Sequence, residues 1–340
     1  MSNLPEYLKQ SDKELVHKFK YIQYQEDQRL RDATVNPDTS RWSLGKSVLK
    51  SNSSRNRYVN IMPYDRNRVK LNVIRGNDYI NASYVKLNVR NQSINPGYYI
   101  ATQGPTSNTW QQFWQMCYSS CPFENIVIVM VTPLNENGRE KCYQYWPMGE
   151  KYGDSNRKIS KIQTPGGPDD VSEFPNELEV EFVKAKRVNG DYVITTLNLK
   201  PIGENSYGKP IKTIHHFYFD QWKDMSRPEE VVPIMHLCQH SHSLNSNENP
   251  IIVHCSAGVG RSGTFIALDH LLHDTNDFKI VPTAGSGSGG IRIPMQHYDH
   301  DLVEQVVMQL RIQRLKMVQM VEQFAFIYHA ARYLYEIVSS

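Results

Sequence analysis

Five segments space their apolar residues as one face of a helix would. The first runs from Ser11 to about residue 32, with Leu15, Phe19, Ile22 and Leu30 on one side and a capping pair of Ser11 and Glu14. The second, residues 106–120, groups Trp110, Phe113, Trp114 and Cys117 and is predicted to be capped at Thr106 or Ser107. The other three are SGTFIALDHLLHD (262–274), DLVEQVVMQLRIQRL (301–315) and VEQFAFIYHAARYLYEIV (321–338).

Other segments have the pattern of strands. ENIVIVMVTPL, residues 124–134, contains a continuous apolar run of strand length, which is typical of a central strand buried on both faces. Residues 177–200 form two alternating runs joined through Asn189 and Gly190, a strong hairpin signal. Four further candidates are DYINASYVKL (78–87), GYYIATQGP (97–105), TIHHFYFDQW (213–222) and PIIVH (250–254).

The order of these elements predicts the fold class. It favours an α/β fold with a highly twisted mixed β-sheet flanked by helices, forming a single domain over residues 1–340 with its core at about 50–338. Residues 36–57 and 241–250 are polar and are predicted to be loops. TAGSGSGG, residues 283–290, contains the pattern G-x-G-x-x-G, but no strand is predicted before it, so a flexible linker is the favoured interpretation.

Composition narrows the function classes only a little. The chain has 340 residues, is 39% hydrophobic and has a formal charge of +3, which gives no argument for a nucleic-acid partner. Its five cysteines include no C-x-x-C pair and no zinc-type spacing, so we expect a reducing compartment. The N-terminus lacks the pattern of a signal peptide, and no apolar run is long enough to span a membrane. We therefore expect a cytoplasmic, monomeric protein without a membrane partner.

The stretch PIIVHCSAGVGRSGTF, residues 250–265, supports two interpretations. Gly258, Gly260 and Gly263 spell a dinucleotide-binding fingerprint, but that fold needs a second strand before the acidic residue that holds the ribose, and Asp277 has none. The same glycines suit a loop whose N–H groups all point at one anion, ahead of a helix N-terminus. The second interpretation places Cys255 at the centre of that loop.

A cysteine in such a loop has a specific chemistry. The oriented N–H dipoles, the helix N-terminus and the guanidinium of Arg261 all favour the thiolate form of Cys255. The same donors bind a phosphoryl group, and Arg261 can grip two of its oxygens. The arrangement fits nucleophilic attack on phosphorus through a phosphocysteine intermediate, with Ser262 stabilising the thiolate as it leaves again. A reactive thiolate also predicts reversible inactivation by peroxide.

At this point the sequence resembles a family, the cysteine-dependent, tyrosine-specific protein phosphatases. HCSAGVGRSG, residues 254–263, matches their signature H-C-x-x-G-x-x-R-[ST]-G at every fixed position. Further segments resemble family motifs in the family's order, and the short layout is similar to the small cytosolic fungal members. These segments are NRYVNIMPYD (56–65), DYINAS (78–83), YYIATQGP (98–105), ENGREKCYQYWP (136–147), WKDMSRP (222–228) and VQMVEQFAFIY (318–328).

The resemblance implies roles for particular residues. Cys255 is the expected nucleophile, Arg261 the phosphate clamp, Asp224 the general acid and later base, and Gln319 the residue that positions water. Catalysis is expected to involve Ser262 as well. Expected substrate-binding residues are Ser256, Ala257, Gly258, Val259, Gly260, Tyr58, Asn60, Gln323 and Lys141, and expected supporting residues are His254, Trp222 and Glu136.

Some positions depart from the family pattern. Lys223 and Met225 replace the usual neighbours of the acid, and Val59 and Asn60 replace an Arg-Asp pair that some relatives have. The main hypothesis is a phosphatase acting on phosphotyrosyl proteins, without metal or cofactor. The alternatives are a module that binds phosphotyrosine without hydrolysing it, which would be expected to lack one of the three central residues, and a dual-specificity or lipid phosphatase, against which Tyr58 argues.

Overall fold

A computed structural model describes residues 4–222, 231–278, 280–282, 290–292 and 301–339. Its α-helices are α1 (Asp12–Val35), α2 (Trp110–Ser120), α3 (Val231–Leu244), α4 (Gly260–Asp274), α5 (Leu302–Arg311) and α6 (Val321–Ser339). Short 3₁₀ turns occur at Glu6–Lys9, Lys50–Arg55, Asp65–Asn67, Glu150–Tyr152 and Pro168–Asp170. None of the helices in the described ranges has the length and apolar content needed to cross a membrane.

Sixteen strands are found in the described ranges, nine of them in one sheet. They are β1 (Arg68–Lys70), β2 (Arg75–Gly76), β3 (Tyr79–Leu87), β4 (Gly97–Thr102), β5 (Asn125–Met130), β6 (Asn135–Glu136), β7 (Arg139–Glu140), β8 (Asn156–Ile159), β9 (Ile162–Gln163), β10 (Ser172–Glu173), β11 (Glu177–Val188), β12 (Tyr192–Ile202), β13 (Lys212–Tyr218), β14 (Ile251–His254), β15 (Ile280–Pro282) and β16 (Gly290–Arg292). The large sheet has the order β1-β3-β4-β14-β5-β13-β12-β11-β8.

The sheet is mixed, as predicted. Strands β4, β14, β5 and β13 run parallel at its centre, and antiparallel strands extend it on both sides. Side chains alternate along β5: Val127 and Val129 join a core with α1, α3, α4, α5 and α6, whereas Ile126, Ile128 and Met130 join a core with α2. The continuous apolar run of this strand therefore reflects burial on both faces.

Two predicted features of the hairpin and the first helix are confirmed. Ser11 and Glu14 form a capping box at the start of α1. Strands β11 and β12 pair through a turn in which Asn189 and Gly190 have φ of 49° and 74°, the left-handed conformation that these two residue types tolerate best.

The predicted cap of the second helix was wrong. The helix begins at Trp110, after Thr109, and not near Thr106 or Ser107. Thr109 Oγ1 accepts the backbone N–H of Thr106 at 2.9 Å, and the N–H of Thr109 bonds back to the Thr106 carbonyl at 3.1 Å. These bonds close a turn that uses the capping groups before the helix starts.

A helix was also missed. Residues 241–244 belong to the last turn of α3 rather than to the predicted loop 241–250. Pro233 reads as a helix breaker in the sequence, but it lies in the first turn, where its missing N–H would have no helical partner. Burial of Ile234, Leu237 and Cys238 against the core then stabilises the helix.

Two predicted loops contain more structure than expected. Residues 36–57 include the 3₁₀ turn Lys50–Arg55, and Arg55 is completely buried. Only Gly290 of the segment 283–290 is among the described residues. The prediction that no strand precedes this segment was wrong, because β15 ends at Pro282. That strand pairs with β16 in antiparallel fashion, so a strand rather than a helix follows, and the context of a nucleotide-binding loop is absent.

Candidate active site

The candidate site lies where the parallel strands of the sheet end. The loop 255–259 connects β14 to α4, so Cys255 follows a central strand and precedes a helix N-terminus. The carboxyl ends of parallel strands are the usual place for ligands in sheets of this kind. A cavity of about 250 Å³ lies beside the loop and is lined by Tyr58, Asn60, Ile61, Lys141, Cys255, Ser256, Ala257, Gly260, Arg261, Gln319 and Gln323.

The loop holds the thiol of Cys255 against backbone donors. Cys255 is 5% exposed, and the N–H of Gly258 donates to its Sγ at 3.2 Å. Gly258 has φ of 76°, and an added Cβ would lie 2.2 Å from the Thr102 carbonyl oxygen, so the close approach of loop and β4 requires glycine. The carbonyl of Val259 accepts the N–H groups of Gly263 and Val318, each at 3.0 Å. These bonds fix the loop at the start of α4.

Arg261 lines the same cavity as Cys255 and is 3% exposed. Its Nη1 donates to the Trp222 carbonyl at 2.6 Å and to Thr132 Oγ1 at 3.3 Å, and its Nη2 pairs with Glu136 at 3.2 Å. These contacts hold the planar group in one orientation. Glu136 therefore lies where it can position Arg261.

Ser262 follows Arg261 in the first turn of α4. Its side chain is completely buried, and its Oγ has no hydrogen-bond partner among the described residues. A buried hydroxyl without a partner is costly in a finished core.

His254 links the cysteine to the core behind the sheet. Its Nδ1 lies 3.1 Å from the Cys255 carbonyl oxygen and therefore carries the proton, because that oxygen can only accept. Its Nε2 then accepts from the Tyr145 hydroxyl at 2.6 Å, and the Tyr145 oxygen accepts from His216 Nε2 at 2.8 Å. Burial lowers the pKa of His254 to about 4, so the ring is neutral near pH 7.

The walls of the cavity are formed by the other predicted residues. Half-buried Tyr58 has its hydroxyl 2.7 Å from Ser256 Oγ, which fixes the ring beside the loop. Gln323 is 1% exposed, and its Oε1 accepts the N–H groups of Gln319 and Met320 at 3.0 and 3.1 Å. Gln323 is thus tied to the start of α6.

The remaining predicted site residues divide into three groups. Lys141, Asn60, Ala257 and Gly260 all line the cavity. Trp222 is completely buried and packs against Phe326. Asp224, together with Lys223 and Met225, lies outside the described residues.

One residue that supports the loop was not predicted. Arg314 is completely buried and donates to the carbonyls of Gly258 and Ala257, each at 3.0 Å, and to Asn81 Oδ1 at 2.8 Å. Burial lowers its pKa to about 10, which leaves it cationic near pH 7. An arginine in RIQRL has the pattern of a solvated helix face, and α5 in fact ends at Arg311, so the sequence has no signal for this role.

Comparison with known proteins agrees with this geometry. A family model described as protein-tyrosine phosphatase matches residues 52–333. The chain belongs to the protein-tyrosine phosphatase family. It is 61% identical over 334 residues to tyrosine-protein phosphatase 1 of Saccharomyces cerevisiae, with 98% of each chain covered. It is 35% identical to tyrosine-protein phosphatase 2 of Schizosaccharomyces pombe, covering 93% of this chain and 39% of that protein.

The fold also agrees with solved phosphatase structures. PTPN18 in complex with HER2 phosphopeptides superposes with a TM-score of 0.68 at 24% identity, covering 94% of this chain and 99% of that one. The predicted family, enzyme class and fold class are therefore confirmed. The roles of individual residues, the cytoplasmic location and the monomeric state stay predictions.

Proposed function

We propose that this protein-tyrosine phosphatase hydrolyses phosphotyrosyl proteins through a phosphocysteine intermediate on Cys255. The observation that carries this proposal is a cavity lined by both Cys255 and Arg261, in which the Gly258 nitrogen lies 3.2 Å from Sγ and the guanidinium is held by Glu136 and the Trp222 carbonyl. Oriented N–H groups and a fixed guanidinium match the charge of a phosphoryl group and favour a thiolate. The site thus combines a phosphate cradle with a nucleophile.

In the first step, Cys255 Sγ attacks phosphorus. A P–S bond forms while the P–O bond to the tyrosine breaks, and Arg261 and the loop N–H groups bind the equatorial oxygens as phosphorus becomes planar. The phenolic oxygen takes a proton from Asp224, because a phenolate is a poor leaving group. Glu136 supports this step by fixing the orientation of Arg261.

In the second step, water attacks the phosphocysteine. Gln319 borders the cavity and is proposed to orient this water, while Asp224, now a carboxylate, takes its proton. The P–S bond breaks and the electron pair returns to sulfur. The buried Ser262 hydroxyl, which has no partner among the described residues, is proposed to donate to the leaving thiolate.

The shape of the cavity supports a preference for phosphotyrosine. Tyr58 forms one wall, and its bond to Ser256 keeps the ring in place for stacking on a phenyl ring. A phosphoseryl side chain is too short to bring its phosphate to the loop while its backbone stays at the rim. Val59 is 93% exposed beside this wall, so residues flanking the phosphotyrosine contact a surface without the charge pair of some relatives.

The test compares a phosphotyrosyl and a phosphoseryl peptide of identical sequence otherwise. We expect the wild type to hydrolyse only the first, Cys255→Ser to bind it without turnover, and Asp224→Ala to turn it over slowly while binding tightly. Binding without hydrolysis by the wild type would instead identify a phosphotyrosine-binding module. Equal rates on both peptides would identify a dual-specificity phosphatase.

A further inference from the structure

Helices α3 and α4 bring two histidines and an aspartate together, away from the candidate active site. His242 is in the last turn of α3, and Asp269 and His273 are one turn apart on α4. His242 Nδ1 lies 3.5 Å from Asp269 Oδ2, and His273 Nε2 lies 3.6 Å from Asp269 Oδ1. Asp269 lies about 14 Å along α4 from Gly260, given the helical rise per residue.

Two polar atoms of this cluster lack a hydrogen-bond partner in the described part of the chain. Among the described residues, Asp269 Oδ1 and His242 Nδ1 are buried atoms without a hydrogen-bond partner, although Asp269 is completely buried. A buried carboxylate oxygen without a donor is expensive, because it loses its hydration without compensation. The cluster therefore indicates that another group completes it.

The spacing of the atoms fits a metal ion. Ligand atoms at zinc-type bond lengths in a tetrahedral site lie about 3.4 Å apart. Each imidazole lies close to that distance from one carboxylate oxygen, His242 from Oδ2 and His273 from Oδ1. The three ligand atoms all lie within 4.8 Å of one another, so the widest pair has to close by at most about 1.4 Å. Two imidazoles and a carboxylate are a donor set that suits divalent transition metals.

We propose that His242, Asp269 and His273 bind one divalent transition-metal ion of the zinc class. The sequence gives no indication of this site, because His242 and His273 belong to different helices and do not form a spaced motif. The proposal does not depend on the catalytic function of Cys255.

Binding requires a change at each of the two imidazole rings. The imidazoles of His242 and His273 are stacked with centroids 3.9 Å apart and planes at 14°, so their nitrogen lone pairs do not yet converge. The side chain of His242 is 38% exposed and can turn about its Cβ–Cγ bond, for which the torsional preference is broad. His273 has to give up a long bond from Nε2 to the Cys238 carbonyl oxygen, 3.3 Å.

Two neighbouring features suit such a site. The Tyr99 hydroxyl donates to Asp269 Oδ2 at 2.6 Å, as outer partners of metal ligands commonly do. A cavity of about 380 Å³, lined in part by Tyr99, His242 and Asp274, offers a path for the ion. A bound ion would tie the end of α3 to the second half of α4.

The experiment is a metal titration in the full-length chain. Cys255→Ser serves as the background, so that the reactive thiol does not bind the metal. Zn²⁺ is followed by calorimetry and Co²⁺ by its visible absorption, and we expect one equivalent bound with a spectrum of nitrogen and oxygen ligands. Removing a residue that hydrogen-bonds to a metal ligand lowers metal affinity by about 10–100-fold. Removing a ligand itself, in His242→Ala or His273→Ala, should lower the affinity by at least that factor.

Controls make the result decisive. His240→Ala removes another histidine of α3, one bonded to Tyr192 at 2.7 Å, and should leave metal affinity unchanged. Tyr99→Phe keeps all three ligands and should weaken binding about 10–100-fold. Absence of saturable binding, a sulfur-to-cobalt absorption band, or equal affinity in His242→Ala and the background would each overturn the proposal.

Discussion

Replacing Gly258 by alanine tests whether the geometry of the cysteine loop sets the activity. A Cβ at this position would lie 2.2 Å from the Thr102 carbonyl oxygen and 2.9 Å from the Gln103 nitrogen. Both atoms belong to backbone, which cannot swing away as a flexible side chain can. The loop and the end of β4 must therefore separate.

The size of the effect follows from that separation. Moving the Cβ to 3.0 Å from the oxygen displaces the loop by about 0.8 Å, and misplacement on the order of 1 Å costs about 10²-fold in rate. The left-handed backbone adds about 1–2 kcal/mol of strain and the crowding about 1–3 kcal/mol. We expect kcat/KM to fall about 10²-fold and the free energy of unfolding to fall by about 2–5 kcal/mol.

The assay is hydrolysis of a phosphotyrosyl peptide together with urea unfolding. Gly153→Ala is the matched control, because Gly153 has φ of 65° but no atom would lie within 4 Å of its Cβ. Gly153→Ala has the backbone strain without the crowding, so its free energy of unfolding should fall by about 1–2 kcal/mol while kcat/KM is unchanged. If folded Gly258→Ala has the same kcat/KM as Gly153→Ala, the link between loop position and rate is refuted.

Three further predictions concern pH, a buried ion pair and oxidation. Burial lowers the pKa of His254 from 6.5 to about 4, so below pH 6.5 the unfolded chain binds a proton that the native ring does not. When the pH falls from 7 to 5, His254 should therefore lower the free energy of unfolding by about 2 kcal/mol. Urea unfolding at pH 7 and pH 5 measures this change, and His254→Gln should make the free energy of unfolding depend less on pH. The same pH dependence in the variant and the wild type would contradict the role given to His254. Arg55→Met removes the cation that pairs with the buried carboxylate of Asp170 at 2.6 Å. Thermal or urea unfolding should show that the free energy of unfolding falls by about 3–5 kcal/mol, and an unchanged value would contradict the importance of this ion pair. Peroxide should abolish hydrolysis reversibly through Cys255, and activity that persists in peroxide without reductant opposes a thiolate nucleophile.

Local patterns account for the parts of the fold and the site that the sequence predicted. The cysteine loop is one contiguous motif, and its chemistry depends on residue types only a few positions apart. The strand within 124–134 could be predicted because burial on both faces favours apolar side chains at successive positions, here residues 126–131. Helix α3 was not predicted, because Pro233 and the histidine and serine residues after it have low helix propensity. Burial of Leu237 and its neighbours stabilises the helix despite that low propensity.

Arg314, which lies behind the cysteine loop, shows a second reason why the sequence did not predict the whole site. A peptide that turns its N–H toward a bound anion turns its C=O the opposite way, so the loop that cradles phosphate presents carbonyls to the core. Those of Ala257 and Gly258 are both satisfied by Arg314, which is completely buried. A cradle of this kind therefore requires a donor behind it, and an arginine with five N–H groups can serve two carbonyls at once. Nothing in the loop determines where along the chain that donor comes from; here Arg314 lies more than fifty residues after Gly258, and only the fold shows that it completes the site.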